Sequence, residues 1–117
     1  GGVPMFRMIG LSIEISKEDT AAFDLSFQGE GLYFDSETKV IVALKRRPRD
    51  DVIIWSKELK LEAKEGKYYL TVPLDSKDTN YTGGTYWWDV RMVAPDGEVY
   101  TPFAPQRFSI LEVVGDV

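Results

Sequence analysis

Apolar and polar residues alternate along most of this chain. In residues 21–28, Ala21, Phe23, Leu25 and Phe27 share one parity, and Ala22, Asp24, Ser26 and Gln28 share the other. Successive side chains of a strand point to opposite faces, so this segment predicts a half-buried antiparallel strand. The same period recurs in 11–15, in 39–47 with Val40, Val42 and Leu44 inward, in 57–63 with Leu59, Leu61 and Ala63 on one face, and in 68–74 with Tyr68, Leu70, Val72 and Leu74 inward. Ile41 and Ala43 are apolar as well, which predicts cover on both faces there. Residues 52–55 read as a short separate strand, and 107–112 as a last strand with Phe108 and Ile110 inward. The longest alternation runs from Gly84 to Val93. Tyr86, Trp88, Val90 and Met92 form an apolar face that belongs in a core, whereas Trp87, Asp89, Arg91 and Val93 form a mixed, partly wet face.

The punctuation between these runs is turn chemistry. Residues 16–20 are polar, Gly29-Glu30-Gly31 breaks a strand, Leu32-Tyr33-Phe34 is a short apolar crossing, and 35–37, 46–51 and 65–67 are turns or loops. In Ala94-Pro95-Asp96-Gly97-Glu98, proline presets φ and Gly97 supplies a left-handed position. Pro102 and Pro105 cannot donate to a ladder, so their stretch must be an edge or a kink. One short helical turn is predicted in 75–80, with Asp75 or Ser76 as cap and Asp78 in its first turn. Roughly eight short strands with a turn every 8–12 residues and almost no helix predict an all-β, single immunoglobulin-like Greek-key β-sandwich of about 7–9 antiparallel strands.

Length and composition fit one domain. The chain has 117 residues, 44% hydrophobic and 28% charged, within the range of globular domains that fold without staples. Residues 1–10 are too apolar for a free tail and read as an N-terminal flanking arm or a first edge strand. The sandwich is expected over 11–113 and a tail over 114–117. Gly1 reads as a tag-cleavage scar, and no signal-peptide pattern is present. No apolar run approaches the ~18 residues that span a bilayer.

The absence of histidine and cysteine narrows the chemistry. Ser-His-Asp and Cys-His nucleophiles, disulfides and the usual zinc sites are excluded. A net charge of −5 opposes a global attraction to nucleic acid or to an anionic membrane.

Gly84-Thr85-Tyr86-Trp87-Trp88-Asp89-Val90-Arg91-Met92, the following Asp96-Gly97 turn and the closing Phe108-Ser109-Ile110 carry a resemblance. This strand–turn–strand pattern resembles the immunoglobulin-like domains of tailed-phage and prophage structural proteins, of the baseplate, tail-tip and upper-fibre type. Residues 13–23 resemble the opening pair of strands of that family, although Lys17-Glu18-Asp19-Thr20 lacks the glycine of the family's turn. The resemblance covers most of 11–112. It implies a non-enzymatic structural or assembly module acting through protein–protein contacts, a homo-oligomer in assembly, and a location in the virion, or in the bacterial cytoplasm when expressed from a prophage. It transfers no catalytic residue and no cofactor. Tyr86 fits the tyrosine-corner position of immunoglobulin-like domains, where its hydroxyl ties back to the backbone.

Candidate contact residues follow from exposed aromatics, which are enriched in binding hot spots. Trp87 on the wetter face could be a platform for a partner protein or a carbohydrate; alternatively a loop covers it, or it packs on Arg91. Trp55 could join Trp87 in one patch or belong to the core. Tyr69 and Tyr100 are weaker members of the same set. A carbohydrate- or surface-binding module built on these aromatics is the competing function. Lys45-Arg46-Arg47-Pro48-Arg49 could touch an acidic partner, but Asp50 and Asp51 offset it. Asp75, Asp78 and Asn80 could donate oxygens to calcium, but capping explains them and no metal site is expected. Glu14, Asp24 and Asp89 are strand carboxylates that a glycosidase pair would need, but outward solvent-facing charge explains them.

Overall fold

The computed structural model describes residues 5–27, 34, 37–65 and 67–112. Within them the strands are β1 (Phe6–Ile9), β2 (Ser12–Ser16), β3 (Ala21–Phe27), β4 (Lys39–Lys45), β5 (Ile53–Lys60), β6 (Glu62–Lys64), β7 (Lys67–Leu74), β8 (Gly84–Val93), β9 (Val99–Tyr100) and β10 (Gln106–Leu111), with one 3₁₀ turn at Ser76–Asp78. They form two sheets. The larger has the order β1-β2-β10-β8-β4-β5, with β9 also pairing β8, and the smaller has the order β3-β7-β6. The expected breaks at 29–31 and 35–36, the tail, and the first residues of the chain lie outside the described residues. Residues 6–9 of the apolar N-terminal segment are a sheet edge paired with β2.

This order is that of an immunoglobulin-like sandwich. In the lettering of those domains, β3, β7 and β6 take the places of B, E and D, and β10, β8, β4 and β5 those of G, F, C and C′. The inward parities of the strands meet between the sheets. Phe23, Leu25, Leu70, Val72 and Leu74 come from the smaller sheet; Ile13, Ile15, Val40, Val42, Leu44, Tyr86, Trp88, Val90, Met92, Phe108 and Ile110 come from the larger, and all are buried. Ala43, on the other parity, is buried too.

The tyrosine corner is present. The Tyr86 hydroxyl donates to the Thr82 carbonyl at 2.6 Å. In antibody domains the residue two positions after that tyrosine is the second cysteine of the inter-sheet disulfide. Here it is Trp88. Its ring meets Phe23 of β3 edge-on, with centroids 5.4 Å apart, and the indole N–H donates to the Leu11 carbonyl at 2.9 Å. An aromatic pair thus joins the sheets in a chain without cysteine.

Several local outcomes differ from the pattern reading. The strand expected at 52–55 continues without a break to Lys60, and the chain changes sheet before Glu62. Leu59 and Leu61 accordingly pack on the core, whereas Ala63 of the three-residue β6 is exposed. The pairing of β10 with β2 is parallel within the otherwise antiparallel sheets. The turn that lacks a glycine places Glu18 at φ 68° instead. The Pro95-Asp96-Gly97 turn forms as expected, with Gly97 at φ 89° and its N–H donating to Ala94 at 2.9 Å. Pro102 and Pro105 fall in the coil between β9 and β10, which follow one another along the same side of β8.

Candidate functional site

The candidate residues divide among three surfaces. Trp55 pairs with Leu44 across β5 and β4, so it faces the core rather than Trp87. Its indole N–H donates to the Asp78 carbonyl at 3.0 Å and its ring meets Phe108 edge-on. Tyr100 pairs with Met92 and packs its ring on Phe34, again on the inner side. The Tyr100 hydroxyl donates to Glu98 at 2.6 Å. That hydrogen bond raises the phenol above its usual range, and the charges of Glu98 and Asp96 push the same way. Trp87 and Arg91 stand on the outer face of the larger sheet, and Tyr69 on the outer face of the smaller one. A joint Trp55–Trp87 patch therefore does not exist: the two residues belong to opposite faces of one sheet.

Trp87 is half-buried, and its neighbours define a row. Strand register places Ile53 opposite Lys45, Lys45 opposite Trp87, and Trp87 opposite Arg107. The row crosses four strands, roughly 14 Å at ordinary strand spacing. It alternates apolar and cationic groups. The cation over the Trp87 ring is the guanidinium of Arg107, 5.9 Å from the centroid, rather than Arg91, which pairs with Ile41 further along the strand. Lys45 turns toward Asp89 at 3.1 Å, and both side chains are mostly buried beneath their neighbours. Ile53 joins this face because of a β-bulge. Leu44 opposes Trp55 and Lys45 opposes Ile53, so Ile54 is the extra residue and the parity of β5 is reset. The alternation of 52–55 contains no signal for this. Ile53 and the preceding Val52 are 49% and 70% exposed, an unusual apolar pair beside so many cations.

The basic run does not act as a unit. Lys45 belongs to the Asp89 pair, and Arg46 lies over the Tyr86 ring, 4.8 Å from its centroid. The three acids considered for hydrolysis are each occupied and do not converge. Glu14 accepts from Arg7 at 2.6 Å, and Asp24 accepts from Thr71 at 2.6 Å on the opposite side of the sandwich from Asp89. Asp78 is buried, and its carboxylate accepts from Lys57 at 2.5 Å and from the Asp75 N–H at 2.7 Å. It clamps the 3₁₀ turn onto β5, a role the capping pattern only half revealed. Among the described residues, no group of three acidic side chains is placed to hold a metal ion.

No protein-family model matches the chain, and no curated protein matches it. Among the solved structures that are distantly similar are the following two. One is a candidate glycoside hydrolase from Bacteroides vulgatus, 10% identical with a TM-score of 0.42; the match spans 86% of this chain and 16% of that protein. The other is murine CRIg, 16% identical with a TM-score of 0.41, spanning 96% of this chain and 99% of that one. Neither bears on what this chain does, since function resides in sites rather than in folds.

Proposed function

We propose that the chain is a non-enzymatic structural module that works through protein–protein contacts, as a tail, baseplate or fibre component of a phage or prophage virion. The observation behind the contact reading is the Ile53–Lys45–Trp87–Arg107 row. Interface centres are enriched in aromatic residues and arginine, and hot spots are built from tryptophan and arginine held in place by neighbours. Arg107 lies over the Trp87 ring, and the Lys45–Asp89 pair stands beside it on the same sheet face. The virion setting is supported by the resemblance in 84–92 and 96–97. Virion parts act in repeated copies, so the module is expected to self-associate through this face with closed symmetry.

Light scattering behind size exclusion, over a wide concentration range, tests this. The expected result is a closed oligomer with a molar mass that is a multiple of 13.3 kDa, shifted to monomer by Trp87→Ala and by Arg107→Glu. A strict monomer at the highest concentration reached, or an oligomer indifferent to both substitutions, overturns the reading.

A further inference from the structure

The outer face of the smaller sheet has a different chemistry. Ser26, Tyr69 and Glu62 stand side by side on β3, β7 and β6, with Asp24 and Thr71 forming the next row along the strands. Together they line a shallow groove of about 440 Å³, within the ~300–1,000 Å³ range of small-molecule sites. Tyr69 is 38% exposed although it occupies the middle strand. Its neighbours across the strands, Ser26 and Glu62, are too small or too flexible to cover an aromatic ring. Asp24 uses one carboxylate oxygen, Oδ1, to accept from the Thr71 hydroxyl. The row therefore offers a partly exposed aromatic side chain bordered by acceptors and hydroxyls.

We infer that this groove is a binding site for an uncharged saccharide, with Tyr69 as the stacking platform and Asp24, Glu62 and Ser26 as hydrogen-bond partners of its hydroxyls. A sugar ring has an apolar C–H face that fits an aromatic surface, and a rim of hydroxyl donors that suits carboxylate acceptors. Hydrogen bonds to charged acceptors are the stronger class, which favours donors from the ligand. The two carboxylates disfavour an anionic ligand by like-charge repulsion and by the cost of desolvating them beside it. The row spans two strand spacings, roughly 10 Å, which leaves room for more than one ring along it. The site lies on the opposite side of the sandwich from Trp87, so it is independent of the proposed protein contact and stands or falls separately.

The test is a titration of the full chain, followed by amide NMR, with cellobiose and chitobiose as uncharged probes and a glucuronate-containing disaccharide as the acidic arm. The expected result is saturable binding of an uncharged probe, with shifts centred on 24–26, Glu62, Tyr69 and Thr71. Tyr69→Ala weakens that binding at least tenfold, Glu62→Gln weakens it severalfold, and Tyr69→Phe and Trp87→Ala leave it within about threefold, which is well under 1 kcal/mol. The same spectra report whether each variant is folded. Absence of saturation by both uncharged probes at about 10 mM, where even a dissociation constant near 1 mM is visible, overturns the inference. So does binding of the acidic probe alone, or binding that survives Tyr69→Ala.

Discussion

Replacing Asp78 by alanine removes the acid that holds the 3₁₀ turn against β5. The Asp78 and Lys57 side chains are 8% and 17% exposed and lie 2.5 Å apart. The carboxylate also accepts the Asp75 N–H. Without it, Lys57 is left mostly buried under the Trp55 ring, 5.5 Å from the ring centroid, with no anionic partner. Removing one partner of a buried pair costs about 3–5 kcal/mol, because the remaining charge is uncompensated. Lys57 keeps some solvent contact at a sheet edge, so the low end applies, about 3 kcal/mol. For a domain near this size that lowers Tm by roughly 12 °C. Urea and thermal unfolding of wild type, Asp78→Ala, Lys57→Met and the double variant give the full cycle. The expected double-variant cost is below the sum of the singles by at least about 1 kcal/mol, because methionine keeps the apolar stem and removes the stranded charge. A cost below about 1 kcal/mol for Asp78→Ala, or strict additivity, would refute the argument and make the pair a surface ornament.

Tyr86→Phe removes one hydrogen bond and no packing. Thr82 is exposed and its carbonyl can turn to water, so a loss of about 1 kcal/mol is expected in urea unfolding. Phe23→Ala deletes the ring that meets both Trp88 and Phe6; a loss of about 3–4 kcal/mol is expected, and the near-ultraviolet dichroism of Trp88 should diminish. The Tyr100 phenol should titrate above the ordinary tyrosine value, and Glu98→Gln should bring it back down, as read by ultraviolet difference titration. Its folded pKa is raised, so the associated stabilisation is present below the unfolded value near 10 and fades as pH climbs through the folded one.

The parity of each run was legible because it is a local property. Tyr86, Trp88, Val90 and Met92 had to share a face once 84–93 was extended, and burial of one face followed from the hydrophobic effect. The Pro95-Asp96-Gly97 turn and the Tyr86 corner were legible for the same reason, since their partners lie within a few residues. The relation between strands was not local. Parity in 52–60 cannot say which face Trp55 shares with residues on β4 or β8, because that depends on pairing register and on one bulged residue at Ile54. The sequence alone therefore determined an all-β sandwich and most of its core-facing side chains, Ala63 excepted. The tertiary structure decided that Trp55 and Tyr100 turn inward, that Arg107 rather than Arg91 meets Trp87, and that Ile53 joins that row. It also separated Tyr69 onto the opposite surface, because the change of sheet between Lys60 and Glu62 is fixed by how the two apolar faces close over one core.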